Sequence, residues 1–138
     1  MPERQFNPKD LQKKLQAGML MVRDGHLKDA SRIADTLKAM APDAPPRFRL
    51  SAAIEEAAGN LPKAYAIAKT GLQLNPDAPT LRLLGARLAV MLGHCEDAIE
   101  MTHGISREAK VWHELQWWNA RALERLHRLE EAAETLAS

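Results

Sequence analysis

Apolar and small residues recur along the chain at the three- and four-residue spacing of a single helix face. Leu11, Leu15, Gly18 and Val22 stand at i, i+4, i+7 and i+11, and residues 64–72 follow the same spacing. Alanine and leucine are frequent, which favours helices over strands. The pattern predicts helices over residues 8–24, 27–41, 45–58, 61–74, 79–92, 95–104, 107–126 and 129–138.

These predicted helices belong to a repeat. The segments GHLKDA, GNLPKA, GHCEDA and HRLEEA begin at residues 25, 59, 93 and 127, so the period is 34 residues. A small residue stands seven places before each start: Gly18, Ala52, Ala86 and Ala120. An alanine stands five places after each start: Ala30, Ala64, Ala98 and Ala132. Small residues let two helices approach closely where they cross, so each unit predicts a packed pair of helices.

Turn-forming residues mark where the helices of each pair begin and end. In the first three units a glycine can supply the left-handed turn between the helices: Gly25, Gly59 and Gly93. The similar segments APDAP (41–45) and NPDAP (75–79) each mark the start of the unit that follows. There Asp43 and Asp77 are expected as N-cap residues, and Pro45 and Pro79 in the first helical turn.

This combination of period, small residues, interhelical glycine and following alanine resembles the tetratricopeptide repeat (TPR) family. The resemblance covers residues 11–138, after a lead-in of residues 1–10. The units are 11–44, 45–78, 79–112 and 113–138, the last incomplete. It implies an all-α α-solenoid of antiparallel helix pairs in a right-handed superhelix. Glu55 is a departure, because it stands where the family often has a tyrosine; we expect it at a partly exposed seam.

The family resemblance also implies a binding surface, because the first helix of each unit lines the concave side of such arrays. The residues expected on it are Leu15, Met19, Arg49, Leu50, Ala53, Leu83, Leu84, Arg87, Met91, Trp117, Trp118, Arg121 and Arg125. We expect a non-catalytic scaffold or adaptor that binds a peptide segment or helix of another protein there. The ligand should carry apolar anchors and acidic residues, which arginines on this surface could pair with.

Two alternatives remain open beside the interaction module. The chain could be the N-terminal targeting or regulatory part of a larger enzyme, or a structural domain that self-associates. The fourth unit has no polar capping helix, and repeat arrays normally shield their last apolar face. Three explanations are therefore kept: the chain belongs to a longer protein, a homodimer forms through this unit, or the short helix suffices. Clamping of a chaperone C-terminus is disfavoured, because the corresponding positions lack Lys, Asn and Arg: Leu15, Met19, Leu50, Thr80 and Leu84.

Composition narrows the remaining classes of function. The formal net charge of +1 gives no electrostatic argument for nucleic-acid binding. No segment is apolar and long enough to span a bilayer, and the polar start lacks the apolar region of a signal peptide. With Cys95 as the only cysteine, we expect a cytoplasmic protein. We find no phosphate loop, nucleophile elbow or catalytic carboxylate pair, so we expect neither enzymatic activity nor a cofactor.

Two side-chain clusters have both a structural and a functional interpretation. His94 and Cys95 invite a metal site, but their spacing fits no standard zinc pattern, and Cys95 is interpreted as a small buried apolar residue. Trp117 and Trp118 point about 100° apart on a helix, so at most one faces the core. The pair is either core of the last repeat, or one ring anchors a ligand or a second copy.

Overall fold

The computed structural model describes residues 7–137, with the backbone only at residues 131 and 135–137. All regular structure in this range is helical, and adjacent helices pack in pairs, so the predicted all-α helix-pair architecture is confirmed. The helices are α1 (Pro8–Arg23), α2 (Leu27–Met40), α3 (Pro45–Ala57), α4 (Leu61–Leu74), α5 (Pro79–Leu92), α6 (Cys95–Thr102) and α7 (Trp112–Ala137). Residues 1–6 of the predicted lead-in lie outside the described residues.

Contacts divide the chain into two compact units, residues 1–76 and 77–138. In the first unit, α1 pairs with α2 and α3 with α4, and α3 also packs against both helices of the preceding pair. Its core includes Leu15, Leu37 and Leu50. In the second unit, α5 pairs with α6, and α7 packs against both of them, with Leu115 and Ala122 fully buried.

The glycine turns take the predicted left-handed conformation. Gly25, Gly59 and Gly93 have φ angles of +82°, +86° and +86°. In this conformation a residue with a Cβ is strained, whereas glycine is not. The chain therefore reverses within two or three residues, and the second helix of each of the first three pairs begins at once.

The fourth unit does not form a pair of helices, which corrects the predicted helices 107–126 and 129–138. One continuous helix, α7, runs through both segments from Trp112 to Ala137. His127 occupies the place where the other three units have glycine, and without a left-handed residue the helix continues. The helix also begins later than predicted, because Gly104 at φ +83° and a series of turns occupy residues 103–111.

The helix starts agree with the prediction at the prolines but not at the caps. Pro45 and Pro79 are the first helical residues of α3 and α5, as expected for a residue without an N–H. The N-caps are Ala44 and Ala78, neither with a side-chain cap, so the assignment to Asp43 and Asp77 was wrong. Each aspartate lies one residue too early for its carboxylate to take the N-cap place.

Close helix approach in the first unit depends on two glycines inside helices. A Cβ at Gly18 would lie 2.5 Å from Cδ2 of Leu50, and one at Gly71 would lie 2.9 Å from Cβ of Phe48. Leu50 and Phe48 are both fully buried on α3. The two side chains of α3 thus occupy the space that glycine leaves on α1 and α4.

We expect Gly71→Val to destabilise the chain by about 2 kcal/mol, because the added methyl groups overpack the Phe48 contact. The midpoint of urea unfolding, followed by circular dichroism, measures the change. Ala66→Val on the exposed side of the same helix is the control, with only the propensity cost of about 0.6 kcal/mol. Equal shifts for the two variants would contradict the close approach.

Candidate functional site

A surface depression of about 460 Å³ lies against α1 and α3 in the first unit. Its lining comes from one face of α1, with one residue of α3: Gln12, Leu15, Gln16, Met19, Leu20, Arg23 and Arg49. The α1 residues stand three or four apart and so share a face of that helix. The depression brings together three of the residues that the sequence placed on the binding surface, namely Leu15, Met19 and Arg49.

Arg49 gives this depression its charge. Its side chain is half-buried, and burial lowers the pKa of Arg49 below its ordinary value. An arginine nevertheless stays protonated at neutral pH. Within residues 7–137, Arg49 has no hydrogen-bond or ion-pair partner. Since burying a charge costs free energy unless it is paired, this guanidinium is suited to accept an anionic partner.

Leu15 and Leu50 correct the predicted surface, because only 1% and 0% of their areas are exposed. Leu50 projects from α3 towards α1 and packs against Gly18, so it belongs to the core. Leu15 is the buried floor of the depression, while Met19 is half-buried and 48% of Leu20 is exposed. Ala53, also predicted on this surface, is half-buried on α3 and is not among the residues that line the depression.

The sequence reasoning missed four residues of the lining: Gln12, Gln16, Leu20 and Arg23. The signal that could have found them is their spacing along α1, where 12, 16, 20 and 23 stand at i, i+4, i+8 and i+11. Two glutamines and an arginine on one helix face are typical of an ordinary solvated surface. Their role depends on Arg49, which the fold alone brings beside them.

In the second unit, the predicted residues of α5 lie at or near the surface. Leu83, Leu84 and Arg87 are half-buried, and 45% of Met91 is exposed. Arg87 Nη1 lies 3.8 Å from Sδ of Met91, one helical turn away. This stretch of α5 thus presents a guanidinium beside flexible, polarisable apolar surface.

The two adjacent tryptophans of α7 differ in exposure, because neighbouring side chains on a helix point about 100° apart. Trp117 is 52% exposed, Trp118 is half-buried, and their rings meet edge to face with centroids 4.6 Å apart. The guanidinium of Arg121 lies 4.9 Å from the centroid of the Trp117 ring. Arg125 is also exposed, but its Nη1 donates a hydrogen bond to the carbonyl of Val90, which holds α7 to the end of α5. Trp117 and Arg121 therefore form the accessible part of this group.

Glu55 lies at a partly exposed position on α3, as expected, with 20% of its side chain accessible. Its carboxylate accepts a hydrogen bond from Nδ2 of Asn60 at 3.0 Å and lies 3.3 Å from Nζ of Lys63. The Asn60 hydrogen bond, with help from Lys63, lowers the pKa of Glu55 below its ordinary value of 4.5. The carboxylate therefore ties the end of α3 to the start of α4 across the Gly59 turn.

Cys95 is buried at the start of α6 with 4% exposure, which confirms its interpretation as a small apolar residue. Its neighbour His94 is the N-cap residue of α6 and makes no side-chain cap. Among the described residues, no three His, Cys, Asp or Glu side chains are grouped so that they could hold a metal ion. None of the helices in the described range has the length and apolar character needed to cross a membrane.

Comparison with known proteins finds similarity in structure only. No protein-family model matches the sequence, and no curated protein matches it. The type III secretion chaperone SycD of Yersinia enterocolitica, solved with a peptide of the translocator YopD, is similar with a TM-score of 0.69. That match has 13% identity over 88% of this chain and 96% of the other.

Two further solved structures are similar. PcrH from Pseudomonas aeruginosa matches with a TM-score of 0.63 and 18% identity, over 92% of this chain and 96% of that one. A T3SS complex from Aeromonas hydrophila matches with a TM-score of 0.62 and 20% identity, over 93% of this chain and 85% of that one. At these identities the similarity is one of fold.

We expect Glu55→Gln to lower the free energy of unfolding by about 0.5 kcal/mol at neutral pH, because the ionised carboxylate is lost. Because folding lowers this pKa, the ionised carboxylate stabilises the folded state at pH values above the ordinary pKa of 4.5. This stabilisation is lost as the pH falls through the pKa of the folded state. The difference from wild type should therefore close in acid. Urea unfolding across pH measures it, with the exposed Glu100→Gln as control; a difference that persists in acid would contradict this account.

Proposed function

We propose that this chain is a non-catalytic TPR-type interaction module that binds a segment of another protein against the first helices of its pairs. The observation that carries the proposal is the depression on α1 and α3, where an unpaired guanidinium adjoins apolar side chains. A pocket of this kind, largely apolar with few polar groups, is typical of a site that fixes a ligand's orientation. The helices supply it preformed, which reduces the entropic cost of binding.

The chemistry of the depression indicates the kind of segment it would accept. Met19 and Leu20 offer apolar surface above the buried floor of Leu15, suited to an aliphatic or aromatic anchor of the ligand. Arg49 has five N–H donors in a rigid fork, which match a carboxylate in a bidentate manner. The preferred ligand is therefore an extended or helical segment with an apolar anchor close to an Asp or Glu.

The exposed group on α7 supports the same ligand chemistry. Trp117 and Arg121 combine a large apolar ring with a guanidinium, and Trp and Arg are enriched among the residues that dominate binding energy at interfaces. On α5, Arg87 and Met91 repeat this pairing of guanidinium and apolar side chain. Each unit of the chain thus carries its own apolar surface with an arginine beside it.

We propose further that the module acts as a chaperone for a client protein in the cytoplasm. Support comes from the Yersinia neighbour, whose structure holds a peptide of a translocator, and from the T3SS complex of Aeromonas. A client whose apolar segment is held on such a surface would be kept from aggregating before it reaches its own partners. The single buried cysteine suits a reducing compartment.

Selection of random twelve-residue peptides displayed on phage tests the proposal without a known client. We expect enrichment of peptides that combine apolar residues with Asp or Glu. The affinity of one such synthetic peptide, measured by fluorescence anisotropy, should fall by about tenfold or more in Arg49→Gln, as for loss of a charged hydrogen bond. Met19→Glu should reduce it at least as much, by placing a charge in the apolar surface.

The matched control is Arg32→Gln on α2, an exposed arginine that does not line the depression and should leave peptide affinity unchanged. Circular dichroism of each variant verifies that the helix content is retained. No enrichment of peptides, or peptides that bind Arg49→Gln and Met19→Glu as tightly as wild type, would overturn the proposed site.

A further inference from the structure

A second depression in the first unit, of about 240 Å³, lies against α3 and is completed by residues of α2 and α4. Its α3 lining comes from positions 47, 51, 54 and 55, which stand at i, i+4, i+7 and i+8 and so share one face of that helix. Arg49, which lines the depression with α1, is two positions from Arg47 and so about 200° around the helix from it. The helix α3 therefore presents an arginine to each of two separate depressions.

The guanidinium of Arg47 gives this second depression a buried donor. Its Nε is buried and has no hydrogen-bond partner within residues 7–137. Its Cζ lies 4.3 Å from the centroid of the Phe48 ring, and Phe48 is itself buried in the core, so the ring supports one face of the guanidinium. A buried N–H without an acceptor costs free energy, and an acceptor supplied by a ligand would remove that cost.

The other polar groups of this second depression leave one positive charge uncompensated. The hydroxyls of Ser31 and Ser51 line it and make no hydrogen bond in the described part of the chain, so both can donate to a ligand. Glu55 also lines it, but its carboxylate is already held by Asn60 and Lys63. The charge of Glu55 is therefore balanced by Lys63, and a ligand with a single negative charge matches the guanidinium.

The apolar part of the lining and the size of the depression narrow the ligand further. Ile54 and Ile67 offer aliphatic surface beside the guanidinium. The volume is below the roughly 300–1,000 Å³ of sites for drug-sized ligands, so it suits a small molecule or the end of a chain. A planar carboxylate matches the planar fork of an arginine in a bidentate manner.

We propose that this second depression binds an aliphatic carboxylate, with its carboxylate on Arg47 and its aliphatic group against Ile54 and Ile67. The carboxylate can belong to a free acid or to the C-terminal residue of a peptide, because both carry the same chemistry. The site is separate from the depression on α1 and α3 and does not depend on the function proposed for it.

The test is methyl NMR of the full chain with carbon-13-labelled isoleucine and methionine methyl groups. Isocaproate and a short acetylated peptide that ends in leucine are titrated separately. We expect the cross-peaks of Ile54 and Ile67 to shift in a saturable manner, while that of Ile99 in the second unit does not move. The Met19 cross-peak reports binding at the other depression in the same spectra. Shifts with isocaproate indicate that a free acid suffices, and shifts with the peptide alone indicate a chain end.

Three variants test the role of the guanidinium. Arg47→Gln should weaken binding by about tenfold or more, as for loss of a charged hydrogen bond. Arg47→Lys keeps the charge but loses the Nε–H and the fork, so it should weaken binding as well. The matched control is Arg32→Gln, because Arg32 is exposed on α2 beside Ser31 but does not line the depression, and its loss should leave the affinity unchanged.

The amides of both ligands lack the charge and should cause no shift. Shifts as large with the amides, or no saturable shift of Ile54 and Ile67 with either acid, would overturn the proposal. Binding of wild-type strength by Arg47→Gln would do the same, as would an equal loss in Arg32→Gln, which would indicate a general attraction of anions. The spectra also show whether each variant is folded. If Arg47→Gln is not, Arg47→Lys decides, and wild-type affinity in that variant overturns the site.

Discussion

The structure depends on reversing the chain directly after a helix, so that the second helix covers the first before the next pair begins. A residue at φ near +85° makes this reversal, and glycine adopts that conformation without the strain of a Cβ. Where Gly25, Gly59 and Gly93 supply it, the small residues at the helix crossings become buried. Burial of these apolar stripes then supplies the main favourable free energy of the fold, since short helices are marginal in water by themselves.

The sequence predicted most of the fold because its turn residues and its apolar spacing agree through three units. Pro45 and Pro79 begin helices as expected, and six predicted helices are found within two residues of their predicted ends. The prediction failed at the fourth unit because apolar spacing was given more weight than the turn residue. HRLEEA has the spacing of a second helix, but His127 supplies no left-handed turn, so the helix is not interrupted.

The candidate site was predicted less well, because neighbouring residues on one helix can differ in whether they are buried or line the surface. Arg49 and Leu50 were both placed on the binding surface, yet Leu50 packs into the space at Gly18 while Arg49 lines the depression. About 100° of rotation separates adjacent side chains, and the repeat register does not fix the rotation of a helix that closely. Contacts between α1 and α3 decide it, and they depend on the size of residues distant in sequence.

That same contact connects the core to the proposed function. Because Leu50 is fixed against Gly18, its neighbour Arg49 is held beside Met19 without a partner of its own, on a helix rather than a loop. A half-buried guanidinium in that position costs free energy in the unbound chain, and a carboxylate on a ligand would relieve that cost. The core packing thus orients the charge before any ligand arrives, which reduces the entropic cost of ordering the arginine on binding.

The first three units have both the apolar residues that pack the second helix and the glycine that reverses the chain, whereas the fourth unit has only the packing residues. Ala132 and Leu129 stand at the packing positions of a second helix, but His127 stands where the other units have the glycine of the turn. A helix with the first property and not the second leaves its apolar side exposed, and burial of that side would be favourable roughly in proportion to the apolar area removed from water. Replacing a single turn residue can therefore leave a helix face exposed, while every packing residue stays as it is.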